Sequence, residues 1–223
     1  MTIVLFAMIM NVSLTFAESD KSKHEVLFEE SKWGLLSYSK IPANTVTFKN
    51  GEMKIEVNSS ASPIIYPLKN FRKYNKMKVR AQIKGTINYK KGTQGKKGSD
   101  DFRLRIGLVY QGKETLGFFK RQIAAAWIIK LFELAPKNAG VSRIEFFNTY
   151  LDEELKGTKR DHPLAEILKE NFIINVSAQD EINQVIDLPS DSNILALWIS
   201  SDGDDLKASY SIELKEISLL ADK

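Results

Sequence analysis

Residues 77–84 read MKVRAQIK, with an apolar side chain at every odd position and a polar one at every even position. A two-residue period puts alternate side chains on opposite faces of a β-strand, so this stretch predicts a strand with one buried face. The same alternation recurs at 53–58, 102–108 and 209–214. Short alternating segments separated by Gly, Pro, Asn and Ser are typical of antiparallel sheets. The sequence therefore predicts an all-β chain, an antiparallel β-sandwich with one or two short helices.

Three segments depart from this alternation. Residues 193–200, NILALWIS, are almost continuously apolar and predict a central strand. Residues 122–134, QIAAAWIIKLFEL, are apolar nearly all round, and periodicity does not decide between a buried helix and a core strand. The segment beginning at Asp161 predicts a short helix, because Asp161 can cap it, Pro163 suits its first turn, and apolar residues follow at helical spacing.

Composition bounds the domain organisation and the chemistry. The chain has 223 residues and a formal charge of +4, and no Pro- or Gly-rich linker divides it. We therefore expect one β-sandwich domain at 31–220 after an N-terminal tail at 18–30. The absence of Cys excludes disulfides and thiolate chemistry, and two His are too few for a multi-histidine zinc site. Neither His24 nor His162 is near a nucleophile-elbow pattern, so no catalytic residue is predicted.

The first residues have the features of an export signal. Residues 1–17, MTIVLFAMIMNVSLTFA, carry no charged side chain and end in Thr15-Phe16-Ala17. Thr15 and Ala17, three residues before the cut and immediately before it, are small and suit signal peptidase, so the pattern predicts a signal peptide that is cleaved after Ala17. The stretch is shorter than the roughly 20 apolar residues of a spanning helix. We expect a periplasmic or secreted protein, with no transmembrane span in the mature chain and no nucleic acid partner.

Positive charge is concentrated in one part of the chain. The interval from Val57 to Ser99 holds eleven Lys or Arg and no Asp or Glu. Four of these cations lie in the loop 90–99, KKGTQGKKGS, for which we expect mobility and solvent exposure. The candidate ligand-binding cations share one strand face or are predicted to extend it: Lys78, Arg80, Lys84, Arg103 and Arg105. Such a strip could bind an anionic polymer, and the alternative is an ordinary solvated sheet face.

Two acidic clusters border apolar strands, Ser99-Asp100-Asp101 and Asp202-Gly203-Asp204-Asp205. Carboxylates on loops suit Ca²⁺, so Asp101, Asp202 and Asp204 are the candidate metal ligands, and no other cofactor is expected. The alternative is a pair of ordinary turns, where Asp and Gly satisfy the backbone geometry. Two carboxylates could also serve a glycoside hydrolase. Because these clusters lie in Gly- and Ser-containing turns, we expect solvent to keep their pKa values near the ordinary range, which argues against catalysis.

Tryptophan is the residue that a sugar-binding site would use for stacking. Trp127 and Trp198 lie in apolar runs and are predicted to be core residues. Trp33, between Lys32 and Gly34, is the predicted exposed platform for a ligand.

The order of these features carries a resemblance to a known family. An early Trp33 is followed by a strand and Ser-rich turn at 53–62 and by the basic strand at 77–84. Residues 99–106 read SDDFRLRI, residues 196–205 read ALWISSDGDD, and a last strand follows at 208–214. From Trp33 to Leu219 the chain resembles the bacterial domain of unknown function 3047 family, with its Gly-Asp-Asp-Phe/Tyr segment and its late Asp-x-Asp. The resemblance implies a jelly-roll-like β-sandwich, similar to galactose-binding and carbohydrate-binding modules, and it implies no activity.

The functional prediction is an exported, non-catalytic binding protein for a glycan or an anionic cell-envelope component. One alternative is a glycan-active hydrolase that uses paired carboxylates. Another is a structural envelope protein with a protein partner. A monomer or a weak oligomer is expected in each case.

Overall fold

The computed structural model describes residues 22–115, 126–137, 139–162, 165–177 and 179–222. The predicted signal peptide and the side chain of Trp127 lie outside the described residues. Among the helices of this described part, none is long and apolar enough to cross a membrane.

Two sheets form the fold, with strands numbered in chain order. The first sheet contains, side by side, β11 (Glu181–Asp187), β6 (Lys76–Lys84), β13 (Ser209–Leu220), β4 (Glu52–Asn58) and β3 (Thr45–Lys49), and β1 (Lys23–Glu25) pairs with β13. The second contains β2 (Gly34–Leu35), β5 (Ala61–Arg72), β12 (Ile194–Asp202), β7 (Arg105–Gly112), β8 (Gly140–Thr149), β10 (Ala165–Ile174) and β9 (Lys159–His162). All described pairings are antiparallel except β8 with β10, which is parallel. The predicted β-sandwich is confirmed.

The main core lies between the two sheets and follows the two-residue period. In β6, Met77, Val79, Ala81 and Ile83 are all buried, whereas the polar residues between them lie on the outer face. Alternate residues of β7 and β12 enter the same cluster from the second sheet. Burial of each such side chain contributes about 1.5–3 kcal/mol, so the alternation is the main determinant of the sandwich.

The second sheet is apolar on its outer face as well. Ile65, Val109, Phe146 and Trp198 form a second cluster there, and the helix α1 (Ala126–Glu133) adds Leu131. All nine residues of β12 are consequently buried. The continuous apolar run of NILALWIS is thus explained by a central strand with both faces covered.

The described part of the ambiguous stretch 122–134 is helical, as α1, and the helix predicted after Asp161 is wrong. This segment contributes instead to the strands β9 and β10, which pair with each other and, through β10, with β8. A helix of one or two turns is marginal by itself, and the sheet pairing overrides its capping signals. The predicted tail at 18–30 also contributes to the sandwich, because β1 pairs with β13 and Val26 and Phe28 are buried in the main core.

Gly107 creates the space in which two aromatic rings meet on the outer face of the second sheet. It lies in β7 directly between Phe146 of β8 and Trp198 of β12 in the strand register. The two rings approach edge to face, with centroids 5.8 Å apart. A Cβ at residue 107 would lie 2.8 Å from a Phe146 ring carbon and 3.1 Å from Trp198 Cβ, so any other residue collides with this pair.

We expect Gly107→Ala to lower the free energy of unfolding by about 1–3 kcal/mol, because the added methyl overpacks a buried site. Urea denaturation measures the change. Gly34→Ala is the matched control, since its Cβ would meet only the Ile65 carbonyl oxygen, at 3.9 Å. Equal losses in the two variants would contradict the steric explanation, as would failure of Phe146→Leu to restore part of the stability of Gly107→Ala.

Candidate ligand-binding groove

The two acidic clusters, far apart in sequence, meet at one end of the second sheet. The Asp202 amide donates to the Phe102 carbonyl at 3.0 Å. Both oxygens of the Asp101 carboxylate accept backbone N–H groups, from Asp205 at 3.2 Å and from Leu206 at 2.8 Å. Asp205 in turn accepts from the Asp100 amide at 3.0 Å. These reciprocal bonds hold the two loops together as one unit.

A groove of about 330 Å³ opens beside these joined loops, on the outer face of the second sheet. One part of its lining is aromatic or aliphatic: Tyr38, Ile41, Ala61, Phe146, Leu168 and Trp198. The other part is polar: Asp100, Asp101, Arg105, His162, Ser200, Asp202, Asp204 and Asp205. An apolar wall facing a small set of convergent polar groups is the usual character of a small-ligand site.

Arg105 is the buried cation at the centre of this polar part. Its guanidinium lies 3.0 Å from Asp202, 3.3 Å from Glu170 and 3.3 Å from Asp100, measured between nitrogen and carboxylate oxygen. It also donates to the Asp100 carbonyl at 2.7 Å and lies 4.1 Å from the centroid of the Phe102 ring. Three carboxylates from three separate segments are therefore held by one side chain.

Glu170 extends the network towards β9. Its side chain is completely buried, and Arg160 Nε donates to its second oxygen at 2.7 Å. His162 Nε2 lies 3.7 Å from an oxygen of Asp100. Asp100, His162 and Glu170 are close enough to hold a metal ion, but the guanidinium groups of Arg105 and Arg160 already compensate these carboxylates. We interpret the cluster as an ion-pair network.

The environment shifts the pKa values of two aspartates in opposite directions. Burial raises the pKa of Asp202 to about 7, and the carboxylates of Asp100, Asp101 and Asp204 add to this effect while Arg105 opposes it. Burial also acts to raise the pKa of Asp100, but His162, Arg105 and Arg160 lower it below its ordinary range. The expectation that solvent keeps these carboxylates near their ordinary values is therefore wrong for both, because both are more buried than turn residues usually are.

The predicted Ca²⁺ ligands are brought together only in part. Asp101, Asp202 and Asp204 all line the groove. However, both oxygens of Asp101 cap the 202–206 turn, and Asp202 pairs with Arg105. The turn interpretation therefore holds for Asp101, whereas Asp202 is held by an ion pair.

Trp33 is not the exposed platform that the sequence predicts. It is 8% exposed, packs between Phe28 and Tyr66, and donates its indole N–H to the Leu27 carbonyl at 2.9 Å. The segment before Trp33, predicted as a tail, covers it. Trp198 is a core residue as predicted, at 3% exposed, although it also lines the groove.

The cations of the predicted basic strip do not share one surface, and those on β6 lie next to acidic side chains. Arg103 and Arg105 are buried and belong to another part of the fold than β6, with Arg103 bonded to Asp180 at 3.1 Å. On β6, Lys84 pairs with Glu213 at 3.1 Å and Lys78 with Glu216 at 2.9 Å, while Arg80 lies 3.8 Å from Glu216. Both acids belong to β13, far away in sequence. Two acids thus compensate part of the positive charge of β6, as is usual on a solvated sheet face.

Hydrogen bonds that the sequence did not predict anchor the lysine-bearing loop 90–99 to the sandwich. The buried Gln94 accepts the backbone N–H groups of Leu151 and Asp152 at 2.8 and 3.1 Å. The Gly92 amide donates to Asp152 at 2.6 Å. Lys90, Lys91, Lys96 and Lys97 are nevertheless all exposed, as predicted.

No sequence pattern identified several of the residues that form or support the groove. Tyr38 and Phe146 line the groove, and Glu170 contacts its Arg105, from strands and loops whose positions are set by tertiary contacts. One signal was present: Trp198, Ser200 and Asp202 continue a two-residue alternation along β12, which puts all three on one face. That face is the floor of the groove.

Comparison with known proteins gives only distant structural likeness. No protein-family model matches the chain, and no curated protein matches it, so the resemblance to the domain of unknown function 3047 family stays a prediction.

A family 11 carbohydrate-binding module from Clostridium thermocellum, in complex with a beta-1,3-1,4-mixed-linked tetrasaccharide, has 10% identity and a TM-score of 0.40, covering 89% of this chain and 95% of that one. A low-affinity xylan-binding module from Roseburia intestinalis has 10% identity and a TM-score of 0.33, covering 88% and 93%. The K2 cleaved adhesin domain of Lys-gingipain has 11% identity and a TM-score of 0.35, covering 88% and 98%. Likeness this distant says nothing about the ligand of this chain.

We expect Arg105→Met to destabilise the protein by about 3–5 kcal/mol, because it leaves buried carboxylates without their compensating charge. Thermal and urea denaturation measure the loss. Lys84→Met is the matched control, since its pair with Glu213 is largely exposed and such pairs contribute about 0–1 kcal/mol. If Arg105→Met lowered the free energy of unfolding as little as Lys84→Met does, the buried network would contribute little to stability.

The raised pKa of Asp202 predicts a pH dependence of stability. Its folded-state pKa of about 7 exceeds the ordinary value of 3.8, so this carboxyl favours the folded state at low pH, and the contribution is lost as the pH rises through about 7. The free energy of unfolding of the unsubstituted protein, relative to Asp202→Asn, should therefore fall between about pH 4 and about pH 8. If the free energy of unfolding changed with pH in the same way for the unsubstituted protein and for Asp202→Asn, the raised pKa of Asp202 would be contradicted.

Proposed function

We propose that the chain is a non-catalytic glycan-binding domain whose ligand lies in the groove beside the joined acidic loops. A sugar ring has an apolar C–H face and a rim of hydroxyl groups, and it therefore needs an apolar wall with hydrogen-bonding groups at its edge. The groove supplies both within one volume. This combination is the observation that carries the proposal.

Among the described residues of the apolar wall, Tyr38 carries the most accessible aromatic ring. Tyr38 is half-buried at the groove, whereas Phe146 and Trp198 are buried behind it. Burial and the nearby Asp202 carboxylate raise the pKa of the Tyr38 hydroxyl, so that hydroxyl remains protonated and can donate a hydrogen bond. Tyr38 can thus offer a ring face and a donor to the same sugar.

The polar floor is held on a rigid element. Ser200 and Asp202 project from the same face of β12, which pairs with β5 along this stretch and with β7 as far as Ser200. Carboxylate oxygens accept hydrogen bonds from sugar hydroxyls, and a strand holds such acceptors more accurately than a loop does. The network around Arg105 fixes Asp202 further.

The charge of the site argues against an anionic ligand. Five carboxylates line the groove against one guanidinium, so a polyanion would be repelled there. The cations of β6, which offered the alternative surface, are paired with acids of β13. We therefore favour a glycan without acidic groups over an anionic envelope polymer.

A carboxylate-pair hydrolase is the second candidate, and one observation favours it. The pKa values of Asp202 and Asp100 are shifted apart, as those of a catalytic acid and base are. However, Arg105 contacts both carboxylates within 3.3 Å, so both are engaged in ion pairs within the protein. We favour binding without turnover for this reason.

Titration calorimetry with neutral tetrasaccharides, such as cellotetraose and xylotetraose, tests the proposal. Tyr38→Ala should weaken binding about two- to tenfold, because it removes the accessible ring. Phe71→Ala, an exposed aromatic outside the groove, is the matched control and should leave binding unchanged. Equal effects of the two variants, or no binding in a broad glycan panel, would refute the proposed site. Release of reducing ends that disappears in Asp202→Asn would establish the hydrolase instead.

A further inference from the structure

The corner at 68–76, where the chain passes from the second sheet to the first, lies at the other end of the sandwich from the groove. β5 begins at Ala61, which lines the groove opposite Asp202, and ends at Arg72, which is opposite Ile194. The strand β12 connects these two pairs at about 3.3 Å per residue, so the corner lies about 25 Å from Asp202. A partner at this corner would not compete with a ligand in the groove.

The last residues of β5 bulge out of the sheet at this corner. The strand register leaves four residues of β5, 68–71, opposite the single residue Leu195 of β12. Leu68 is buried in the main core, whereas Lys69 is exposed and Phe71 is 37% exposed. A bulge redirects the side chains that it carries, and this one presents a lysine and an aromatic ring to the solvent.

The backbone next to the bulge is held in place. Tyr74 is buried in the main core, and the Arg72 guanidinium carbon lies 5.3 Å from the centroid of its ring. The Asn75 amide donates to the Leu220 carbonyl, and the Asn75 carbonyl accepts from the Leu188 amide, both at 2.8 Å. The exposed side chains of the corner are therefore carried by an anchored backbone, so docking would order little additional chain.

Positive charge at the corner is compensated only in part. The corner carries four cations and no acid: Lys69, Arg72, Lys73 and Lys76. Two acids from elsewhere lie nearby, Asp187 at 4.0 Å from Lys76, and Asp222, which accepts a hydrogen bond from the turn. Neither Lys69 nor Lys73 forms an ion pair with any residue that the structure describes. Exposed cations of this kind attract an anionic surface.

The exposed aromatic ring favours one kind of anionic partner. A lipid bilayer offers anionic headgroups to the cations, and side chains such as Phe enter the boundary between its headgroups and acyl chains. A soluble polyanion offers charge alone and would leave the Phe71 ring in water. The combination of Lys69, Phe71 and Lys73 within five residues therefore fits a membrane surface better than a polymer in solution.

We propose that the corner 68–76 docks on a lipid bilayer with anionic headgroups, with Lys69, Arg72 and Lys73 at the level of the phosphates and the Phe71 ring among the headgroups. The inference is separate from the proposed glycan-binding function, because the groove lies at the other end of β12. A protein docked in this way would hold the groove away from the bilayer, where a glycan can enter it.

Vesicle flotation tests the docking. At about 0.1 M salt, the protein should float with vesicles that contain phosphatidylglycerol and should not float with pure phosphatidylcholine vesicles, because only the former carry net charge. Flotation should largely disappear at about 1 M salt, where the Debye length falls from about 10 Å to about 3 Å.

Matched variants locate the surface. The double variant Lys69→Gln, Lys73→Gln should weaken binding to the anionic vesicles about 25-fold, since each basic residue near such a membrane contributes a factor of about five. The double variant Lys96→Gln, Lys97→Gln is the control, because it removes the same charge from the exposed loop beside Asp100 and should leave flotation nearly unchanged.

The aromatic ring has its own test. Phe71→Ala should weaken vesicle binding about threefold without changing its salt dependence, because it removes apolar contact and no charge. Phe71→Trp should retain binding, and its added fluorescence should shift to shorter wavelength when anionic vesicles are present, as expected for a ring that leaves water.

Four results would overturn the inference. One is absence of flotation with the anionic vesicles, and another is an equal loss in the two lysine double variants, which would reduce the effect to net charge. A third is an unshifted Phe71→Trp spectrum in the presence of bound vesicles. The fourth is unchanged vesicle binding by Phe71→Ala together with binding to dextran sulfate that Lys69→Gln, Lys73→Gln abolishes, which would assign the corner to a soluble polyanion.

The glycan-binding function is judged separately. Tyr38→Ala should float with anionic vesicles as the unsubstituted protein does, and Lys69→Gln, Lys73→Gln should retain any binding of neutral tetrasaccharides. Failure of the glycan panel with flotation intact would refute only the proposed function, and the reverse result would refute only the membrane docking.

Discussion

The buried guanidinium of Arg105 is the interaction on which the functional end of the molecule depends. It joins Asp100, Glu170 and Asp202, which belong to the loop before β7, to β10 and to β12. Without it, the mutual repulsion of three carboxylates at low exposure would oppose the packing of these segments. The Arg105 side chain therefore holds these segments together, and it also determines how much of the negative charge at the groove is compensated.

Double-sided burial of the second sheet gives the groove its floor. The inner face of β12 builds the main core, and its outer face changes from the aromatic Trp198 to the polar Ser200 and Asp202 within five residues. Gly107 allows Phe146 to approach Trp198 across β7. The apolar and polar halves of the site thus follow from the order of residues along neighbouring strands.

The sequence predicts the parts of this structure that depend on local pattern. The alternation at 77–84 identifies β6, because every second residue of that strand is buried. The apolar run at 193–200 identifies β12, because every residue of that strand is buried. Contacts between distant segments have no such signal. The tail that buries Trp33, the acids of β13 that neutralise β6, and the pairing of β10 with β8 all depend on tertiary structure. The acidic clusters were recognisable, but their convergence and their burial were not, since linear sequence carries neither distance nor solvent exposure.

The turn closed by Asp101 has a thermodynamic consequence for recognition. Because its backbone donors are already satisfied within the protein, the rim of the groove exists before any ligand arrives. Association then loses little conformational entropy of the loop, and the affinity is governed by desolvation and by direct contacts. A preformed rim of this kind therefore lets a ligand bind and leave without a loop rearrangement that would slow either step.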